Sequence, residues 1–391
     1  DEARLNEFLA LLDDEEMIVF DIESTGTDVW KDYIVGHVIT AVKADIHAYI
    51  PTRHDVPDIQ LDDAYMIEKL RPYYENKALG KIAHNAKYDI HMLANAGVKL
   101  RGLIWDTQVA MHVLNENERF QGRSYQLKEL VSHYLKIPSA TYGELFGKKG
   151  FNEMPLDVAL AYAAKDGEIT YKLYEFQKYH LARIGLLDYY NEIENPIIYA
   201  SLEMERAGIY IDIERAEHLS KQLREEIADI ERQLREHFGD INFNSPAQLS
   251  KKFYDELKLD RYLKDKTKLS TDVSTLKILA EHHEGVKLLL DYREKHKLLN
   301  TYIEALPKHI RKDGKVHGEF NQDGTVTGRF ASRNPNLQNQ DPIARQLFIA
   351  PPGHVILSAD YSQQEPRWLA HFTSEQLLID VYNEGKDLYT E

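Results

Sequence analysis

Short apolar runs alternate with amphipathic segments along the first half of the chain. Residues 17–22 (MIVFDI) form an apolar, β-branched run typical of a buried strand, and residues 33–42 and 46–50 have the same character. Residues 81–84 predict a further short strand, and the helical spacing of residues 86–96 follows it directly. Strands that alternate with helices indicate an α/β domain.

Glycines mark the predicted ends of two helices in this region. Gly97 stops the helix over 86–96, and Gly185 closes a longer helical pattern over residues 156–184. Asn195–Pro196 predicts a break in the chain, after which the pattern changes character.

A long, charged, amphipathic helix is predicted beyond that break, over residues 214–237. Its apolar positions recur at helical spacing along one stripe, formed by Leu219, Leu223, Ile227, Ile230 and Leu234. This part of the chain is therefore expected to be mainly helical.

Capping signals predict further helices in the same region. Asn244-Ser245-Pro246 is typical of a cap followed by a proline in the first turn. Ser270-Thr271-Asp272 precedes a predicted helix near 272–283, and residues 286–306 continue the helical pattern.

The last part of the chain returns to strand patterns. A turn at Asp313-Gly314 precedes residues 315–320 and 325–330, which we expect to pair as two strands. Residues 354–360 (HVILSAD) predict an apolar strand that ends in a carboxylate.

Length and composition limit the classes of protein that fit. A chain of 391 residues predicts two or three domains, and 43% hydrophobic residues are enough to bury several cores. The sequence contains no cysteine, which excludes disulfides and thiolate metal sites and fits a reducing cytosol. It contains no run of 18 apolar residues, and its acidic start (DEARLNEF) lacks the apolar region of a signal peptide.

The net charge of −16 is unusual for a protein that binds nucleic acid, but the charge is unevenly distributed. Residues 251–312 carry 15 basic and 10 acidic groups, a net charge of +5. This segment is either a solvated helical face or a surface for phosphates. Acidic clusters elsewhere are candidate metal ligands, because bound cations would offset their charge.

Two carboxylates stand at the end of the first predicted strand. Asp21 and Glu23 are two residues apart, so the strand places both side chains on the same face. Carboxylates this close repel each other unless a cation lies between them. Taken alone, the pair also fits an ordinary strand end with solvated acids.

Two further acids occupy helices. Asp89, in the segment Asn85-Ala-Lys-Tyr-Asp89, falls in the first turn of a helix, where the helix dipole favours a carboxylate. Tyr162 and Asp166 are four residues apart, which stacks them on one helix face. Each pattern alone is also common in helices without any catalytic role.

The order of the three patterns, D-x-E, N-x-x-x-D and Y-x-x-x-D, resembles the proofreading 3′–5′ exonucleases of the ribonuclease-H-like fold that use tyrosine in their third motif. The resemblance covers residues 1–190 and implies a mixed sheet flanked by helices. It also implies two divalent ions, Mg²⁺ or Mn²⁺, about 4 Å apart at the reaction centre. Such hard cations prefer oxygen ligands, which matches the residue types.

The resemblance assigns a role to each residue of the motifs. It implies that Asp21, Glu23 and Asp166 share one ion and that Asp21 and Asp89 help to position the other. It implies that Tyr162 orients the attacking water, and that Asn85 and Lys87 contact DNA or support their loop. Asp106 could be a fifth ligand, but its place between a strand and a helix favours a helix cap.

A second set of motifs lies near the end of the sequence. The segments TGRFASRNPNLQN (327–339) and LSADYSQQE (357–365) resemble the first motifs of family A DNA polymerases. Segments between residues 244 and 307 resemble the thumb of that family. The resemblance implies an exonuclease domain over residues 1–190, a mainly helical thumb over 191–312 and the first part of an α+β palm over 313–391.

This second resemblance implies roles in DNA synthesis. Asp360 would hold the catalytic Mg²⁺, and Glu365 would disfavour a ribose 2′-hydroxyl. Arg329 would reach the primer end in the minor groove, where acceptors are shared by all base pairs. The residues implied beside the nucleotide triphosphate are Tyr361, Ser362 and Gln363, and those implied to hold the duplex are Asn336 and Gln338. The basic stretch 251–312 would contact phosphates without regard to sequence.

Gln364 and Pro366 stand where this family more often has aliphatic residues, which suggests a phage-type variant. The fingers, which clamp the incoming triphosphate, and the second palm carboxylate are not found in the sequence. We therefore expect exonuclease activity on single-stranded 3′ ends and on primer-template DNA, in a bacterial or phage-infected cytoplasm. DNA synthesis from deoxynucleoside triphosphates is expected only if a second chain supplies the fingers and the remaining palm.

Two alternatives remain open. The chain could be a stand-alone exonuclease that uses residues 191–391 as a duplex-binding arm. It could also be a non-enzymatic duplex-binding module with structural carboxylates. We further expect residues 340–391 to expose apolar surface and sheet edges.

Overall fold

The computed structural model describes residues 1–58, 60–264, 269–386 and 388, and its largest sheet has five strands. The strand order is β3-β2-β1-β4-β5; β1 pairs antiparallel with β2 and parallel with β4. The bounds are β1 Met17–Ser24, β2 Ile34–Ala41, β3 Ile46–Pro51, β4 Gly80–Ala83 and β5 Leu103–Asp106. This mixed sheet confirms the predicted α/β class of the first domain.

Nine α-helices in the described part of residues 1–207 surround this sheet. The α-helices of this part are α1 Glu2–Leu12, α2 Asp63–Tyr74, α3 Ala86–Asn95, α4 Thr107–Leu114, α5 Leu127–Leu130, α6 Tyr142–Phe146, α7 Leu156–Arg183, α8 Leu187–Tyr189 and α9 Asn195–Ala207. Helix α7 lies along β1, β2 and β3. At Gly167, which faces β2, a Cβ atom would come within 2.4 Å of the Thr40 hydroxyl. Glycine is therefore favoured at this crossing, one residue after Asp166, because any larger residue would force a neighbouring atom to move.

Asn195–Pro196 does not break the chain, contrary to the prediction. A π-helical turn over Tyr190–Glu194 leads directly into α9, and Pro196 is the second residue of α9. Ile198 and Leu202 of α9 pack into the core around the five-stranded sheet. The side chain of Asn195 also donates a hydrogen bond to the Leu103 carbonyl. Tertiary packing therefore carries the helix through this dipeptide.

The second core begins at Ile211 and is built mainly from helices. Helix α10 spans Ile213–Phe238, and four of the five predicted stripe residues are buried, with Leu219 partly buried. The predicted caps are confirmed, because Ser245 and Asp272 each accept a hydrogen bond from the first turn of the next helix. The other helices here are α11 Pro246–Ser250, α12 Val273–Ala280 and α13 Glu284–Lys297, extended by a π-helical segment over Leu298–Ile303.

The short strands after residue 312 pair differently from the prediction. Strand β7 (Lys315–Val316) pairs with β6 (Ile209–Ile211), which also pairs with β10 (Phe348–Ile349). Strand β8 (Glu319–Asn321) pairs with β9, which is Ala331–Arg333 rather than residues 325–330. The predicted segment instead forms a turn, because the Thr325 hydroxyl donates to the Arg329 carbonyl and His112 of α4 hydrogen-bonds the Thr325 carbonyl.

Residues 354–360 do not form the predicted strand. Their backbone has no ladder partner among the described strands, and the side chains of Val355 and Leu357 are 87% and 88% exposed. An apolar run becomes a buried strand only when a neighbouring backbone pairs with it. The segment is followed by α14 (Gln364–Thr373) and α15 (Gln376–Asn383), and the expectation of exposed apolar surface here is confirmed.

Candidate active site

The predicted carboxylates at the end of β1 lie on the side of the sheet that α7 crosses. Asp21 and Glu23 pair across the ladder with Val38 and Gly36 of β2, so their side chains share one face. Burial raises the pKa of Asp21 to about 6, although the ammonium of Lys128 acts in the opposite direction. Burial, together with the charge of Asp21, holds the pKa of Glu23 well above its usual value. Both carboxylates are therefore costly to keep ionised without a compensating cation.

Asp89 joins this pair from the first turn of α3. Its side chain is buried, and its Oδ2 atom has no hydrogen-bond partner in the described part of the chain. Burial first, and then the charges of Asp21 and Asp106, raise its pKa well above the usual range. A buried carboxylate oxygen without a partner is destabilising unless a donor or a cation meets it.

Tyr162 and Asp166 reach the same region from the middle of α7. Asp166 is buried and forms an ion pair with the ammonium of Lys128. Burial, followed by the charges of Glu23 and Asp21, raises the pKa of Tyr162, so its phenol stays protonated at neutral pH. The ring is held edge-on by Tyr142 and Phe146, with centroids 5.9 Å and 5.5 Å away.

Lys128 is a site residue that the sequence analysis missed. It lies in α5, its side chain is 9% exposed, and its Nζ atom lies 4.5 Å from the centroid of the Tyr162 ring. Burial lowers its pKa to about 8, against the opposing charges of Asp21 and Glu23. A single lysine between Leu127 and Leu130 carries no sequence signal that its side chain turns inward.

The acids fit a divalent cation in charge and in donor chemistry. In the described ranges, no three carboxylate, imidazole or thiol groups are already arranged as ligands of one ion. However, a nearby positive charge would stabilise the ionised forms of Asp21, Glu23 and Asp89, whose pKa values are raised. It would also give the Oδ2 atom of Asp89 a partner. Carboxylate oxygens are the ligands that Mg²⁺ and Mn²⁺ prefer.

Asp106 is a helix cap, as the sequence favoured. Its carboxylate accepts from the backbone N–H groups of Gln108 and Val109 at the start of α4, at 2.8 Å and 3.2 Å. It also accepts from the N–H groups of Asn85 and Ala86, at 3.2 Å and 2.7 Å. One buried carboxylate thus joins the starts of α3 and α4, and holds the helix that carries Asp89.

Lys87 points towards α9 and β8. Its ammonium donates to the Glu205 carboxylate at 2.6 Å and to the Phe320 carbonyl at 2.5 Å. The same buried carboxylate hydrogen-bonds His91 at 2.8 Å and accepts from the Phe320 N–H at 2.6 Å. Glu205 of α9 therefore links α3 to β8 through hydrogen bonds, and the amino group of Lys87 takes part in them.

The residues predicted to act in DNA synthesis lie on exposed segments. Asp360, Tyr361 and Ser362 are exposed and precede α14. Glu365 in the first turn of α14 forms an ion pair with Arg329, and both side chains are about 70% exposed, at 74% and 68%. The structure therefore brings two of the predicted residues together.

Asn336 and Gln338 form part of an exposed turn. The Asn336 side chain accepts from the backbone N–H groups of Gln338 and Asn339, both at 3.0 Å. This contact gives the loop a defined shape, while the side chain of Gln338 faces solvent.

The fold and the acidic site define a ribonuclease-H-like exonuclease domain joined to helical and palm-like parts, and comparisons with known proteins agree. Residues 1–180 match the family described as 3′-5′ exonuclease, and residues 213–391 match DNA polymerase family A. The chain belongs to the family A DNA polymerases and carries a 3′–5′ exonuclease domain. Divalent metal ions are the general cofactors of these families.

Relatives and a solved structure extend over almost the whole chain. DNA polymerase I of Chloroflexus aurantiacus and of Pseudomonas aeruginosa are each 33% identical over 409 residues, which cover 100% of this chain. The chain spans 42% and 44% of their lengths, less than half. The POL domain of Pol1 from M. smegmatis, in complex with DNA primer-template and dNTP, matches with a TM-score of 0.82 and 27% identity over 98% of this chain and 64% of that one.

The curated relatives are bacterial proteins, so the prediction of a phage-type variant is not confirmed. No helix in the described ranges is long and apolar enough to cross a membrane.

Proposed function

We propose that this chain removes nucleotides from the 3′ ends of DNA strands, as the proofreading activity of DNA replication. The observation that supports this most strongly is the convergence of acids from separate elements. The charge of Lys128 acts on Asp21 at the end of β1, next to Glu23, and its ammonium forms an ion pair with Asp166 in α7. The charge of Asp21 in turn acts on Asp89 at the start of α3. Buried acids that lie in one region and have raised pKa values are typical of functional sites.

In this proposal, Asp21, Glu23 and Asp166 hold one divalent ion, and Asp21 and Asp89 help to hold a second. Bound ions of this kind lower the pKa of water and stabilise the charge on the leaving oxygen. The phenol of Tyr162 orients the attacking water by a hydrogen bond. Its raised pKa means that it keeps its own proton at neutral pH, so it positions water rather than deprotonating it.

The test is a primer-template labelled at the 5′ end of the primer, incubated with Mg²⁺ or Mn²⁺ and resolved on a gel. Shortening by the wild-type chain that is lost in the Asp21→Ala, Glu23→Ala double variant is the expected result. Binding of DNA without any shortening, in either metal, would instead favour a duplex-binding module.

We also propose that the thumb binds the DNA backbone. The segment 251–312 carries a net positive charge in an acidic chain, and a cavity of about 800 Å³ with polar and apolar lining lies at its edge. Its lining includes Asn244, Ser250 and Thr271, and the guanidinium of Arg293, which donates to the Thr271 carbonyl. Arg293→Ala is expected to weaken binding of duplexes of any sequence and to reduce its salt dependence.

Further proposed DNA contacts, outside the thumb, are Asn85, Arg329, Asn336 and Gln338, while Lys87 supports its loop through Glu205.

DNA synthesis is the finer part of the proposal. Asp360 would hold Mg²⁺, the residues Tyr361, Ser362 and Gln363 would lie beside a deoxynucleoside triphosphate, and Glu365 would exclude the 2′-hydroxyl. The solved relative binds DNA primer-template and dNTP, which supports this assignment. We propose that fingers and the remaining palm complete the site, from a second chain or from further sequence, in the cytoplasm.

The exposed apolar side chains of Val355, Leu357, Trp368 and Phe372 support this completion. Primer extension that appears only when a fingers-and-palm protein is co-expressed would establish a second chain as the source. Unchanged shortening with no association between the two proteins would favour the stand-alone exonuclease.

A further inference from the structure

A buried lysine occupies the acidic site between the motifs. The side chain of Lys128 is 9% exposed, forms an ion pair with Asp166 and lies 4.5 Å above the Tyr162 ring. Burying an ammonium group is expensive unless opposite charge compensates for it. The carboxylates that make this position favourable for Lys128 are the same ones that would ligate divalent ions.

We propose that Lys128 is a built-in counter-cation that neutralises Asp166 when no metal is bound and competes with divalent ions for that carboxylate. The inference rests on the proposed function, because it takes Asp166 as a metal ligand. In this scheme, the Lys128–Asp166 ion pair is broken when a divalent ion binds Asp166. Lys128 is a positioning residue in this scheme, since it acts on the ligands.

The structure provides room for the displaced ammonium. Lys128 and Tyr162 line a cavity of about 560 Å³, whose rim also includes Asp157 and Lys165. A flexible four-carbon side chain can move into such a space without disturbing the core. The carboxylate of Asp157 on the same rim offers opposite charge to the retracted ammonium.

Lys165 provides a matched control. It lines the same cavity, but its side chain is 40% exposed and its ammonium pairs with Glu168 at 2.8 Å. The two lysines therefore differ in whether they meet the acidic site. Lys165→Met should change Mn²⁺ affinity much less than Lys128→Met, because its ammonium pairs with Glu168 and not with a proposed ligand.

The test measures Mn²⁺ binding by calorimetry and thermal unfolding in EDTA and in saturating Mn²⁺, on the full chain. Lys128→Met is expected to tighten Mn²⁺ binding about fivefold or more, because the competitor is gone. It should lower the unfolding midpoint in EDTA by more than in Mn²⁺. Lys128→Arg, which keeps the charge, should behave like the wild type. Should Lys128→Met not fold, Lys128→Gln carries the same prediction.

Several outcomes would overturn the inference. An equal loss of stability with and without Mn²⁺, at unchanged affinity, would mean that Lys128 only packs. Weaker Mn²⁺ binding in Lys128→Met would mean that the lysine supports the ligands and does not compete with the ion. If the wild-type chain itself bound no Mn²⁺, the proposed metal site would fail together with this inference. Wild-type binding with no change in the variant would overturn the inference alone.

Discussion

The two ends of the chain carry acids of similar predicted importance in opposite surroundings. Asp89 and Asp166 are buried on helices packed against a five-stranded sheet, and their neighbours shift or compensate their charge. Asp360 follows an apolar segment that has no strand alongside it in the described ranges, and it is exposed. The same type of residue is thus buried where other parts of the fold surround it and exposed where they do not.

The largest expected effect is a difference in exonuclease activity between variants at the two ends of the chain. Asp166→Asn should reduce exonuclease kcat by about a thousandfold or more, because it removes a proposed metal ligand. Asp360→Asn is the matched change at the other end and should leave shortening of the primer unchanged. Single-turnover assays on a labelled primer measure both. Comparable losses in the two variants would show that the ends act as one site.

The contact of Glu205 with α3 and β8 should have the next largest effect. Glu205→Ala removes the buried partner of Lys87 and His91 and should cost about 3–5 kcal/mol of unfolding free energy, measured by urea denaturation. Exposed Glu203 on the same helix is the control, and Glu203→Ala should change stability by less than about 0.5 kcal/mol. A small effect of Glu205→Ala would mean that this carboxylate is not needed to hold α3 against β8.

The same carboxylate predicts a pH dependence. Burial alone would raise the pKa of Glu205, but hydrogen bonding to His91 and the charge of Lys87 outweigh burial and lower it. A lowered folded-state pKa contributes stability above the unfolded value of about 4.5, and this contribution is lost as pH falls through the folded pKa. Glu205→Gln should therefore flatten the acid limb of stability against pH. An unchanged acid limb would contradict the assignment.

The crossing of α7 over β2 should have a moderate effect. Gly167→Ala places a Cβ atom 2.4 Å from the Thr40 hydroxyl and should cost about 1–3 kcal/mol through overpacking. Gly143→Ala is the control, since a Cβ there meets nothing within 4 Å. Thermal unfolding measures both variants, and Thr40→Ala in the Gly167→Ala background should recover part of the loss. Equal stability of the two glycine variants would argue against this close packing.

The smallest expected effect lies at the exposed end. Leu357→Ser changes a side chain that is 88% exposed, so stability should change by less than about 0.5 kcal/mol, whereas Phe20→Ala in β1 should cost about 3–5 kcal/mol. Chemical denaturation compares the two. A loss above about 1 kcal/mol for Leu357→Ser would mean that another surface covers this segment in solution.

Local patterns were sufficient for much of the exonuclease-like half. The apolar runs, the cap at Asp106 and the spacing of Asp21, Glu23, Tyr162 and Asp166 predicted the elements that carry the site, because each depends on neighbours a few residues away. Failures occurred where distant contacts decided the outcome. The helix continues through Pro196 because Ile198 and Leu202 find a core, and β8 pairs with β9 because His112 holds the intervening turn.

The sequence by itself determined the class of the first domain, the elements that carry the acidic motifs and the order of the polymerase motifs. Periodicity, capping and spacing are local properties, so they can be identified without the fold. Only the tertiary structure decided that Lys128 turns into the acidic site, that Glu205 joins α3 to β8, and that residues 354–360 lie without a strand partner. Each of these depends on residues brought together from distant parts of the chain, where burial sets the cost of every unpaired charge and backbone group.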